Sequence, residues 1–159
     1  MTLREFYLKR AKREFPVFLK VLKALPSDLS YKPHDRSPSA EQLVWTLTNE
    51  MKALVDVIDT GKSEWEDTKP PSLNEMIEMY EKWSAELLEK AEALDDASEE
   101  RNAQFLYHGQ VVMERPLLEF LWDFMFDAIH HRGQLSAYLR PMGGKVPSIY
   151  GPSADDSGM

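Results

Sequence analysis

The sequence predicts an all-α fold, a four-helix bundle, on two observations. Four long segments repeat their apolar residues at steps of three and four, the period of a helix with one buried face. Between the third and the fourth lies a long connection in which Phe105, Tyr107, Val111 and Val112 flank His108-Gly109. That pattern reads as an extended segment or a short hairpin, with His108 in the turn.

The first helix runs from Thr2 to about Leu25, with Thr2 as N-cap and Glu5 at the reciprocal capping position. Leu3, Phe6, Tyr7, Val17, Phe18, Val21 and Leu25 form its stripe. Pro16 falls inside it and should bend or restart the helix, because proline has no N–H to donate. Arg10 and Glu14 interrupt the stripe one turn apart and read as an ion pair whose stems cover apolar surface. Pro26 to Pro38 is an extended connection carrying His34. Ser39 caps the second helix, which Gly61 closes after Thr60. Leu43, Leu47, Met51, Leu54 and Ile58 mark its core face, and Thr46 and Glu50 sit one above the other on the edge of that face. Lys62 to Pro71 is a polar link, Ser72 to about Leu94 the third helix, and Asp95 to Arg101 an acidic turn. The fourth helix starts at Pro116, which suits a first turn, and ends near Met142 at Gly143-Gly144.

Composition narrows the function. A chain of 159 residues without internal repeat or boundary is one domain, residues 1–150, followed by a flexible tail over residues 151–159. The formal charge of −8, with no dense Lys/Arg cluster, argues against nucleic acid as a partner. The absence of cysteine removes disulfides, thiolate catalysis and Cys-ligated zinc, and fits a reducing cytoplasm. The charged N-terminus lacks a signal-peptide core, and no apolar run is long enough for a membrane span. There is no GxSxG nucleophile elbow, and Gly143-Gly144-Lys145 follows a helix C-terminus, where the dipole disfavours phosphate.

One pair stands out. His131 lies within the stripe of the fourth helix and Asp127 one turn earlier on its edge, so both side chains reach one point. They are either a hydrogen-bonded pair or two ligands of a metal. His130 turns about 100° away, towards the opposite face. Arg132 leaves the seam only in part and can pair with Glu50 or Asp127.

The stretch DAIHHRGQLSAYLRPMGGKVPSIYGPS from Asp127, with YKPHDRSPSAEQLVWTL from Tyr31, resembles the DinB-like family, and the match extends from the first helix through Tyr150. The resemblance implies a four-helix bundle of DinB/YfiT type, often a homodimer, related in fold to thiol-dependent transferases and isomerases. It also implies a divalent metal held by three histidines, one on the second helix and two spaced four apart on the fourth. By position the last ligand is His131, with Asp127 in place of the other histidine of that helix. Thr46 stands where the second-helix histidine would be, and threonine is a poor ligand for zinc or nickel. Three outcomes follow. The metal is lost, leaving an Asp127–His131 hydrogen bond in a vestigial pocket. Glu50, one turn below Thr46, supplies the third ligand of a site suited to zinc, nickel, manganese or iron. Or a weak two-ligand site is completed by water.

The implied functions are metal-dependent transfer of a small thiol, or a related hydrolysis or isomerisation, against a non-catalytic, stress-related binding or interaction bundle with a degenerate site. No substrate or catalytic residue is assigned. The segments Tyr31–Arg36 and Val146–Tyr150 are expected at the pocket mouth, with Tyr150 as a polar contact.

Overall fold

The structure, a computed structural model, describes residues 1–158. In chain order the elements are α1 (Leu3–Lys23), α2 (Ala40–Thr60), β1 (Lys62–Trp65), α3 (Leu73–Glu92), α4 (Asp96–Glu99), β2 (Asn102–Tyr107), β3 (Gln110–Pro116) and α5 (Leu117–Leu139). The four long helices enclose the core, with α1 and α2 each packed against both α3 and α5. Tyr7, Phe18, Leu47, Met51, Tyr80, Leu87 and Phe120 fill its centre. Among the described residues no helix is long and apolar enough to cross a membrane.

Local chemistry explains where the helices begin. Thr2, Ser39 and Ser72 each accept a hydrogen bond from the backbone three residues on, while Glu5, Gln42 and Glu75 reach back, so two otherwise orphaned donors are satisfied at each start. Gly61 ends α2 with φ of 78°, the left-handed conformation that a side chain disfavours. Pro16 does not restart α1, which runs through it unbroken. The proline is exposed and so is Lys12 one turn before it, so the carbonyl left without its helical donor meets water.

The all-α expectation needs correcting. The connection after α3 contains a one-turn helix, and Asn102–Pro116 is a hairpin in a three-stranded sheet of order β1-β2-β3. His108 and Gly109 both have positive φ and make the two-residue turn that matches the twist of the flanking strands. The third strand, β1, falls in the segment read as a polar link and runs parallel to β2. It is four residues long and mostly polar, so it carries no alternation to read. The register puts Ser63, Phe105 and Met113 in one row, with Trp65 two residues along β1 on the same face.

The connection between α1 and α2 packs away from the sheet. Tyr31 meets Tyr138 edge to face, and the Tyr138 hydroxyl donates to the Pro38 carbonyl at 3.2 Å. Of residues 151–159, read as a flexible tail, Met159 lies outside the described residues and 151–158 make hydrogen bonds back to the chain. Asp155 accepts from Arg140 and from the Val146 amide at 3.0 Å each, and Asp156 accepts from the Ser148 amide at 2.8 Å.

A single ion pair crosses the apolar core between α1 and α5. Arg132 donates to Glu14 Oε2 at 2.7 Å, and both residues are 2% exposed. Arg10 holds the other Glu14 oxygen at 2.7 Å, as the sequence suggests. Tyr150 donates to Glu14 Oε2 at 2.9 Å and accepts from Arg132, whose guanidinium lies 4.5 Å from the Phe18 ring centre. The partner of Arg132 is therefore Glu14, and neither Glu50 nor Asp127. Removing one member of such a pair strands a buried charge, so Arg132→Leu should cost about 3–5 kcal/mol in urea unfolding. Glu14→Leu combined with Arg132→Leu should recover most of that loss, because an apolar replacement of both partners leaves nothing unpaired.

Candidate metal centre

Adjacent residues on a helix point about 100° apart, so with Arg132 turned towards α1, His131 faces α2. Asp127 lies one turn earlier on the same side. From α2, Glu50 enters the same space, and Glu50, Asp127 and His131 each offer a ligand atom, all within 4.8 Å of one another. The structure thus brings together the three residues proposed from sequence. Thr46, one turn above Glu50, lines the adjoining cleft without a carboxylate or imidazole to contribute.

The three side chains differ in environment. Glu50 is 3% exposed, and its Oε2 is buried with no hydrogen-bond partner. Burial first, and the neighbouring Asp127 second, push the Glu50 carboxyl well above the usual carboxylate range. Asp127 is exposed and moves the other way. Its Oδ2 lies 3.2 Å from His131 Nε2, and that hydrogen bond holds its carboxyl low. The same contact raises His131, assisted by a 3.0 Å hydrogen bond between Nδ1 and Gln134 Oε1. With Nδ1 donating to Gln134, the ring orientation is fixed and Nε2 is left as the ligating nitrogen. Tyr80, buried without a partner for its hydroxyl, is raised by burial and then by the Glu50 charge.

This donor set fits a divalent cation. It offers two carboxylates and one imidazole on opposing helices, and one carboxylate oxygen is buried with nothing to bind.

Other residues fall elsewhere. His130 is exposed and lines the cleft beside Asp127, its ring 5.4 Å from that of His131, so it faces the site more closely than its position off the stripe suggests. His108 pairs with Asp67 at 3.3 Å in the hairpin turn, and His34 accepts from the Arg36 amide in the first connection. Tyr31–Arg36 and Val146–Tyr150 do not line the cleft, and Tyr150 binds Glu14 and Arg132 instead. The walls come from the sheet, whose Trp65, Phe105 and Met113 carry no recognisable site motif.

The profile of the DinB family matches residues 4–158. The chain belongs to the DinB family. The uncharacterized protein YjoA of Bacillus subtilis is 32% identical over 121 residues, which cover 72% of this chain and 73% of that protein. Two crystal structures share the fold. A DinB-like protein from Bacillus cereus matches with a TM-score of 0.74 at 21% identity, covering 92% of this chain and 97% of that one. The Bacillus subtilis YjoA structure matches with a TM-score of 0.67 at 23% identity, covering 86% and 91%. YjoA is itself described as uncharacterized, so the family relation carries no reaction with it.

The pKa shifts fix how the metal-free protein responds to pH. Glu50 keeps its proton in the fold above the pH at which the unfolded chain releases it, so stability falls as pH rises towards its raised value. The His131 contribution is present below its ordinary value and lost as pH rises through its raised one. Asp127 acts in reverse, its contribution being lost only in acid, as pH falls through its lowered value. In EDTA, thermal stability should therefore fall as pH rises from the usual carboxylate range past the ordinary histidine value. Glu50→Gln, a neutral isostere able to donate to Asp127, should melt higher than the parent at the upper pH and depend less on pH. A parent more stable than Glu50→Gln under those conditions contradicts this account of the site.

Proposed function

We propose that Glu50, Asp127 and His131 hold one divalent cation, zinc, nickel, manganese or iron, and that the chain acts on a small thiol by transfer, or by a related hydrolysis or isomerisation. The observation that carries this reading is the buried, unpartnered Oε2 of Glu50 beside a carboxylate and an imidazole. An ionised carboxylate in that position needs a cation, and none of the neighbouring arginines is available, since Arg132 and Arg10 are taken by Glu14. A bound divalent ion supplies Lewis acidity and lowers the pKa of a thiol or water at its open positions. Glu50 anchors the site from its buried side, and Asp127 meets solvent at the cleft. Gln134 keeps Nε2 of His131 turned inward. A homodimer belongs to the same reading, supported by Leu3, Phe6 and Phe126 at 54%, 40% and 62% exposure. Light scattering should return twice the chain mass.

A second reading has its own support. A proton on Glu50 together with the Asp127–His131 hydrogen bond neutralises the cluster without metal. That arrangement suits a non-catalytic, stress-related bundle with a degenerate site.

Elemental analysis of protein purified without a histidine tag separates the two. About one metal per chain is expected, lost in Glu50→Gln and in His131→Ala while the fold persists. Gln134→Leu should weaken metal affinity by about 10- to 100-fold without abolishing it. No metal after incubation with zinc, nickel and manganese, or full metal in His131→Ala, rejects the proposed centre.

A further inference from the structure

We infer that the cleft beside Glu50 and Asp127 binds a small molecule with an aromatic or similarly compact apolar body and no negative charge, seated on a wall built by the sheet. The inference deepens the proposed function and rests on taking the Glu50, Asp127 and His131 end as the reactive end. The cleft has a volume of about 670 Å³, within the range of small-molecule sites. Trp65 from β1, Phe105 from β2 and Met113 from β3 form one side, and Phe124 and Phe126 from α5 the other. The wall is preformed. Phe105 meets Trp65 edge to face at 6.2 Å and Phe124 at 5.4 Å, so its ring is held before any ligand arrives. Phe126, 62% exposed at the rim, gains burial when a ligand enters.

Charge selects the occupant. The ionisable residues lining the cleft are Glu50, Asp123, Asp127 and His130, with no lysine or arginine among them. Arg115 sits against Asp123 at 3.6 Å and is half exposed, which neutralises that carboxylate from outside. With no lysine or arginine to pair with it, an anionic head would lose its hydration among apolar walls without gaining a partner. A neutral or cationic head meets no such barrier, and the apolar body is matched by the ring faces in either case.

The test is an NMR titration of metal-free protein with phenylethanol, phenylethylamine and phenylacetate, which share one body and differ in charge. The alcohol and the amine should shift the Trp65 indole N–H and the amides of Phe105 and Phe126, and bind about tenfold tighter than the acid. Trp65→Ala, and independently Met113→Ala, should weaken alcohol binding by about tenfold with the amide spectrum otherwise folded. Phenylacetate binding as tightly as the alcohol, binding unmoved by both wall variants, or no binding by any probe overturns the inference. Metal content of the same samples is read separately. Full metal with an empty cleft rejects the pocket alone, and an occupied cleft in protein that takes up no metal rejects the centre alone.

Discussion

The contact between Arg132 and Glu14 sets the angle at which α5 presents every other functional side chain. It is the strongest directional interaction between α1 and α5, made at 2.7 Å by two residues that water does not reach. Apolar packing tolerates rotation of one helix against another far better than a buried guanidinium tolerates losing its carboxylate. Once Arg132 is fixed, helical geometry carries His131 towards α2, Asp127 one turn back, and Gln134 to a place where it can hold the imidazole. Arg10 and Tyr150 then use the remaining capacity of Glu14, which ties the C-terminal segment to the same point. The HRGQ element is therefore a physical unit: the imidazole of His131, the Arg132 anchor that orients its helix face, and Gln134, whose Oε1 accepts from Nδ1 and fixes the tautomer. Gly133 is the exception, since an added Cβ would meet nothing within 4 Å, and nothing in the structure explains it.

Against that fixed frame, Glu50 carries the chemical tension of the core. Two carboxyl groups share a space less than 5 Å across, and their surroundings drive them apart. Burial pushes the Glu50 carboxyl well above the usual carboxylate range, while the hydrogen bond to His131 holds Asp127 below it. Such a split marks sites where a proton and a cation compete for the same oxygen. Tyr80 is buried between the two polar features of the core, and burial first, then Glu50, raise its hydroxyl.

How far the sequence could be read follows from the range of each interaction. Capping pairs, the Gly61 terminus and the His108-Gly109 turn depend on neighbours within a few residues and were legible. The meeting of Glu50 with Asp127 and His131 was legible because two periodic stripes, on α2 and α5, both turn inward. The partner of Arg132 was not, because Glu14 lies 118 residues away on a helix where it also satisfies Arg10 by local spacing. Strand β1 was hidden for a related reason. It pairs through its backbone, and Lys62-Ser63-Glu64-Trp65 shows no alternation that would announce a sheet. Placing the pocket mouth at Tyr31–Arg36 and Val146–Tyr150 failed with it, since those segments were the available loops only while the sheet was unseen.

The sheet also defines the surroundings of Thr46. A two-stranded hairpin is marginal in water, and this one is stabilised by a third strand and by contact with α2 and α5. If packing were its whole purpose, the inward row of Ser63, Phe105 and Met113 would close on the helices. Phe105 does close, edge-on against Phe124. Trp65 and Met113 instead border a cleft that continues to Glu50 and is lined by Thr46. An imidazole at that position would project into the cleft, whereas threonine is small and leaves it open. Thr46 and Glu50, one turn apart on α2, thus divide the work: the small side chain keeps the apolar approach open, and the buried carboxylate stands at its inner end.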